Sequence, residues 1–191
     1  MYRKMRLVDI VRLPPEKLGG EVEAVVKETL QEKLEGAIDK TLGVFVAVTN
    51  VLKIGEGRII AGDGAVYYET EFEAIVYKPE IQEIVEGEVV EIVEFGAFVN
   101  IGPLDCLIHV SQIADDFISY DEKNARLVGK GGKHAIAVGD RVRARIVAVS
   151  LNEREPRDSK IGLTMRQVGM GKIEWLEEAR KVEEKALKRE A

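Results

Sequence analysis

Between residues 81 and 166 the chain carries no stretch with the spacing of a long helix, and this constrains the fold more than any other feature. The region breaks instead into five apolar-rich segments, at 84–93, 97–101, 105–110, 141–149 and 160–166. Gly96, Gly102-Pro103 and Gly139-Asp140 punctuate them. Short strands with turn signals at this spacing predict a small barrel, and five of them fit an OB fold. Residues 115–138 form a long insertion between the third and fourth strands. Its Gly129-Lys130-Gly131-Gly132-Lys133 run reads as a basic hairpin tip. That run lacks the spacing of a phosphate-binding P-loop.

Upstream of Lys78-Pro79 the pattern differs. Val66, Tyr68, Thr70, Phe72, Ala74 and Val76 alternate with Tyr67, Glu69, Glu71 and Glu73, the period of a half-buried strand. Pro79 cannot donate to a sheet ladder, so it suits a strand end or linker. Residues 5–13 read as another strand, stopped by Pro14-Pro15. A helix is expected over 21–38, with Val22, Val25, Val26, Leu30, Leu34, Ala37 and Ile38 on one stripe. The valine-rich run 42–52 predicts a strand buried on both faces. Gly62-Asp63-Gly64, between 58–60 and 65–76, is a hairpin turn signal. In the first strand Met5, Leu7, Val11 and Leu13 share one face, while Val8 and Ile10 lie on the other. One helix covers only one sheet face, so the second needs either a partner protein or the following domain. The expected division is therefore an α+β domain at 1–80, a barrel at 81–168 and a helix at 169–191. In the tail Ile173, Leu176, Ala179 and Val182 form a thin apolar stripe, continued by Ala186 or Leu187.

Composition excludes several functions. A 191-residue chain suits one large domain or two small ones. No run approaches the ~18 apolar residues that span a bilayer, and no apolar segment follows the basic start, so a cytoplasmic protein without membrane contact is expected. Cys106 is the only cysteine and has no partner for a disulfide or a zinc site; a small buried residue is expected there. The two histidines, His109 and His134, form no recognisable acid–base or metal constellation. No catalytic residue and no cofactor is expected. Charged residues make up 32% of the chain and Asn and Gln are few, the bias of hyperthermophile proteins. Net charge is -6, yet from Lys123 to Val149 Asp140 is the only acid among seven basic residues. That stretch is the one basic region of the chain.

Strand parity sorts the barrel residues. Val142, Ala144, Ile146 and Ala148 are expected inward, which sets Arg141, Arg143 and Arg145 outward in a row. Ile161, Leu163 and Met165 go inward, with Lys160, Thr164 and Arg166 outward. Ala97, Val99 and Ile101 go inward, leaving Phe98 outside and Phe95 at the same strand end. His109 opposes the Cys106, Ile108 and Val110 face, but Leu107 shares its side, so parity there is ambiguous. Exposed rings beside cations are the ingredients of a single-stranded RNA surface, since bases stack on rings and cations track phosphates. The alternative is that both Phe rings pack under the long insertion and the arginines are merely solvated.

A resemblance decides between these. Glu86-Gly-Glu-Val-Val, Phe95-Gly-Ala-Phe-Val, Cys106-Leu-Ile-His-Val-Ser-Gln, Gly139-Asp140-Arg-Val and Lys160-Ile-Gly-Leu-Thr-Met-Arg166 together resemble the ribosomal-protein S-one-type RNA-binding motif. Cys106 stands where that motif usually has glycine. The resemblance implies an RNA face at Phe95, Phe98, His109 and Arg166, with basic neighbours Lys130, Lys133, Arg141, Arg143, Arg145 and Lys160. Met1-Tyr2-Arg3, Leu13-Pro14-Pro15, Ile60-Ala-Gly-Asp-Gly-Ala-Val-Tyr-Tyr, Val76-Tyr-Lys-Pro and Tyr120-Asp-Glu resemble the E-prime family of archaeal RNA polymerase subunits, whose eukaryotic counterpart is subunit seven of RNA polymerase II. That resemblance implies a truncated ribonucleoprotein-like first domain and a non-catalytic stalk subunit. It implies pairing with a smaller stalk partner, the polymerase's F subunit, as a heterodimer. It also implies contact with emerging single-stranded RNA and help in open-complex formation. Docking on the polymerase core is implied for Gly62, Asp63 and Gly64 and for the loop holding Pro14, Pro15 and Gly19. A translation- or ribosome-associated RNA binder on the same barrel is the alternative.

Overall fold

The computed structural model describes residues 1–130 and 134–190. The chain forms two compact units. One comprises Met1–Lys78 with Leu151–Asp158; the other comprises Pro79–Ser150 and the chain from Ser159 onward.

In the first unit, strand β1 (Tyr2–Leu13) leads through a single 3-10 turn to helix α1 (Val22–Leu34). Strands β2 (Ile38–Asp39), β3 (Gly43–Ile59) and β4 (Val66–Tyr77) follow. They form one antiparallel sheet in the order β1-β4-β3-β2. α1 lies on one face, where Val26 and Leu30 are fully buried against Val11, Leu13, Phe45, Val48, Phe72, Ala74 and Val76. The expected alternation holds along β1 and β4. Val11 and Leu13 are buried, while Val8 and Ile10 stay 63% and 58% exposed on the uncovered face.

Two elements differ from expectation. The helix stops at Leu34 because Gly36 turns the chain at a φ of +82°, a left-handed conformation. Ile38 passes instead into β2. The valine-rich run is doubly buried only from Gly43 to Phe45. Beyond that point one face of β3 opens, and the strand continues to Ile59 through four register shifts against β4.

In the second unit, strands β5 (Ile84–Val93), β6 (Gly96–Asn100) and β7 (Asp105–His109) form an antiparallel run. The insertion makes a separate small sheet of β8 (Ile118–Asp121), β9 (Arg126–Gly129) and β10 (Ala135–Ile136). Strands β11 (Arg141–Ser150) and β12 (Lys160–Thr164) complete the barrel. β11 pairs with β5 and β12, and β12 runs parallel to β7, so five strands close on themselves. The interior holds Val89, Ala97, Val99, Cys106, Ile108, Val142, Ala144, Ile146, Ile161 and Leu163. Two parities differ from expectation: a bulge between Ile146 and Ala148 turns Ala148 to the outside, and Thr164, expected outward, is buried, its hydroxyl held by Gln112.

A short strand, β13 (Gly171–Lys172), pairs with β11 and opens helix α2 (Ile173–Glu190). The helix is anchored at its start. Trp175 meets the His134 ring edge-on at 4.9 Å, and Lys172 bridges Asp140 at 3.0 Å and Glu174 at 2.8 Å. Ile173 and Leu176 are half-buried, whereas Ala179 and Val182 are exposed, so up to Val182 the apolar stripe is covered in its first turn alone; the side chains of Ala186 and Leu187 lie outside the described residues.

Phe72 is the largest side chain fully buried in the first unit. Phe72→Ala is expected to lower the stability of that unit by about 3–5 kcal/mol, while Val8→Ser changes it by less than about 0.5 kcal/mol. Urea denaturation measures both, and similar losses for the two variants would contradict the assigned faces.

Candidate nucleic-acid interface

The ring-bearing wall is built by β6 and β7. Gly96 pairs with His109, and a Cβ on Gly96 would sit 2.3 Å from the Ile108 carbonyl oxygen. Only glycine permits that approach. It brings Phe95, Phe98 and His109 to one end of the strand pair. Phe95 is 51% exposed and meets half-buried Phe98 edge-on at 6.4 Å. Phe98 lies in register with Leu107 on one side and Glu91 on the other.

His109 caps the short turn after β7. Its Nδ1 accepts the Ser111 backbone N–H at 3.2 Å and lies 2.8 Å from Ser111 Oγ. A backbone N–H can only donate, so Nδ1 carries the lone pair and the neutral ring is protonated at Nε2. The exposed ring therefore offers a stacking face and an Nε2–H donor.

The end of β12 is tied to the same end of the barrel. Leu163 pairs with Ile108, Thr164 donates to Gln112 Oε1 at 2.8 Å, and the Met165 N–H donates to the Gln112 carbonyl. Arg166 follows and pairs with the highly exposed Asp115. An exposed ion pair is worth little, so a phosphate can replace Asp115 at small cost.

The arginine row occupies a different part of the wall. Arg143 and Arg141 both reach Glu86, at 2.8 and 3.6 Å, and Arg145 donates to Gln82 Oε1 at 3.3 Å. Glu86 lies five residues before Glu91, the residue paired with Phe98. At ~3.3 Å per residue the row is displaced roughly 15 Å along β5 from the rings. Two guanidinium groups share the Glu86 carboxylate, and exposed Glu88 stands in register with Arg141, so three arginines face two acids. Lys160 and Lys130 are exposed at strand ends; the Lys130 N–H donates to the Phe117 carbonyl. Lys133 lies outside the described residues, as does the tip of the basic hairpin.

A second constellation lies in the first unit, at the β3–β4 turn. Gly62 adopts a φ of +89° there. The Arg12 guanidinium grips the Asp63 carboxylate with two hydrogen bonds, of 3.0 and 2.8 Å. Tyr67 Oη donates to Asp63 at 2.6 Å, and the Ala65 N–H donates at 3.2 Å. Pro15 lies next to Gly64, so the Pro14-Pro15 loop and the Gly62-Asp63-Gly64 turn meet; among the described residues beyond its chain neighbours, none comes within 4 Å of the Cβ position at Gly19. Sequence reasoning misses Arg12 and Glu86. Their partners are 51 and 57 residues away, and no local pattern marks such pairs.

These two units define a class: an α+β domain with a braced turn, followed by a five-stranded barrel that carries exposed rings and cations on its wall. Two family descriptions match the chain accordingly. "SHS2 domain found in N terminus of Rpb7p/Rpc25p/MJ0397" matches residues 8–64, and "S1 RNA binding domain" matches residues 78–160. DNA-directed RNA polymerase subunit Rpo7 of Saccharolobus shibatae is 42% identical over 183 residues, covering 95% of this chain and all of that one. Rpo7 of Saccharolobus solfataricus matches with the same identity and coverage. DNA-directed RNA polymerase II subunit rpb7 of Dictyostelium discoideum is 24% identical over 157 residues, covering 81% and 91%. The chain belongs to the DNA-directed RNA polymerase subunit Rpo7 family, and with it to the non-catalytic subunits of that polymerase.

Cys106 lines the barrel interior behind this wall. Burial pushes its thiol up from 9.0 to about 12, with a smaller contribution from the Asp105 carboxylate. Stability from the neutral thiol is complete below about pH 9 and is drawn down as pH rises towards 12. Folded protein at pH 8 is expected to resist alkylation by iodoacetamide and to react once unfolded. Rapid labelling of the folded protein, followed by mass spectrometry, would contradict the burial.

Proposed function

We propose that this chain is the larger stalk subunit of an archaeal RNA polymerase: it pairs with the smaller F subunit, docks on the polymerase core and meets the emerging transcript on its barrel wall. The protein works in the cytoplasm and assists open-complex formation by holding nucleic acid rather than by chemistry. Among the described residues no helix is long and apolar enough to cross a membrane.

The observation that carries the RNA-binding part is exposed Phe95 set edge-on against half-buried Phe98, with His109 opposite Gly96, on a barrel that the S1 RNA binding domain matches. Bases stack on the rings, and the Nε2–H of His109 donates to a base edge or phosphate. Arg166 supplies a cation at the same end. Arg141, Arg143 and Arg145, with Lys160, extend the path for the backbone of a longer strand. The rings select single strands, because a base stacked between neighbours in a duplex has no free face to offer.

Docking is assigned to the first unit. The turn at Gly62-Asp63-Gly64, with Pro14, Pro15 and Gly19 beside it, is the contact offered to the polymerase core. The uncovered sheet face with exposed Val8 and Ile10 is offered to the smaller stalk partner.

Phe98→Ala and His109→Ala, tested separately, are each expected to weaken binding of a single-stranded RNA about 5- to 100-fold, the equivalent of one lost stack, without affecting assembly with the smaller stalk partner. Filter binding across a salt series checks this. Each phosphate neutralised adds about -0.7 to the slope of log K against log salt. Unchanged affinity in both variants, or a flat salt response, would refute the assigned face.

A further inference from the structure

Between Ile59 and Ala65 the chain reads Ile-Ile-Ala-Gly-Asp-Gly-Ala, and Asp63 is its only ionisable residue. The Asp63 carboxylate is engaged inward. Arg12 occupies both oxygens, Tyr67 Oη adds a third hydrogen bond and the Ala65 N–H a fourth. The Asp63 N–H in turn donates to the Ile60 carbonyl at 3.1 Å, closing the turn. The hydrogen bonds from Arg12 and then Tyr67 hold the Asp63 carboxyl well below the usual carboxylate range, so it stays ionised throughout the neutral region. What the tip shows outward is apolar: Ile59 is 75% exposed and Ile60 53% exposed.

A bare apolar turn rich in glycine is normally mobile, because glycine leaves φ unrestricted. Ordering it on binding costs conformational entropy. A bidentate guanidinium–carboxylate pair removes that cost in advance, since its planar fork fixes direction as well as distance. We infer that Arg12, Asp63 and Tyr67 form a positioning clasp that presents Ile59 and Ile60 as a rigid plug, and that the socket for this plug on the polymerase core is an apolar cavity. The inference rests on the docking reading under Proposed function. It deepens that reading by naming which residues position the tip, which ones enter the partner, and the chemistry of the surface that receives them. A charged socket does not fit the segment Ile59–Ala65, whose one charge is compensated by Arg12; Arg58 lies exposed just before it.

The test uses the full chain bound to its smaller stalk partner, and measures affinity for polymerase core purified without the stalk. Ile60→Lys is expected to abolish binding and Ile60→Leu to retain it. Asp63→Asn and Arg12→Gln are each expected to weaken binding roughly 10- to 100-fold, with single-stranded RNA affinity unchanged. Tyr67→Phe gives a smaller loss. Amide exchange at Asp63 and Ala65 in the stalk without core should accelerate in Asp63→Asn, a local loosening that separates positioning from a general fold defect. If Ile60→Lys binds core like the parent, the docking reading fails and the clasp inference fails with it. If Ile60→Lys loses binding while Asp63→Asn and Arg12→Gln bind normally, docking stands and the clasp is overturned. Loss of binding in Ile60→Leu equal to that in Ile60→Lys would overturn the apolar socket.

Discussion

The ring-bearing wall depends on one close approach, that of Gly96 to the Ile108 carbonyl. A side chain there would push β6 and β7 apart by more than the pairing tolerates. With glycine, the two strands pack closely enough for Ala97, Val99, Cys106 and Ile108 to fill the barrel. On the outside the same approach leaves His109 facing no side chain across the pair, and sets Phe95 and Phe98 within an edge-to-face contact of one another. Interior packing and exterior chemistry are two results of a single steric constraint.

The charges are held by few contacts. Arg166 is held by an exposed aspartate, and Arg141 with Arg143 by a single glutamate. Each of these pairs can open to an incoming phosphate, because solvent already screens it. The Asp63 site, though similarly exposed, differs in the number of its bonds. Its carboxylate is enclosed by four hydrogen bonds, and it shapes the turn rather than meeting a ligand. An acidic chain can thus carry a local basic row at one place and an apolar tip at another.

Much of the fold is legible in the sequence because its signals are local. Strand 84–93 adopts its expected bounds, and the other barrel strands lie within one or two residues of expectation, since glycines and a proline mark their ends. Positions that depend on distant partners are less legible. Ala37 and Ile38 continue the helical stripe, so periodicity carries the helix through to Ile38; the left-handed Gly36 ends it instead. The 42–52 run has the composition of a doubly buried strand, yet the sheet covers only one face beyond Phe45. Simple alternation puts Ala148 inside, and the bulge after Ile146 breaks that alternation. In the candidate site, parity sets Phe98 opposite the interior residues of its strand, whereas His109 shares its side with Leu107 and parity there is ambiguous. The sharing of Glu86 by two arginines, and the clasp of Arg12 on Asp63, arise from registers between strands more than fifty residues apart and have no signature in sequence.

Transcript RNA resting on the β6–β7 end of the barrel is the central claim. Photo-crosslinking tests it most directly: a 4-thiouridine-substituted single-stranded RNA is bound to the stalk pair, irradiated, and the adducts are mapped by mass spectrometry. Adducts at Phe95, Phe98 and His109 are predicted, with weaker ones near Arg166. Adducts confined to the arginine row of β11, or to the first unit, would contradict it.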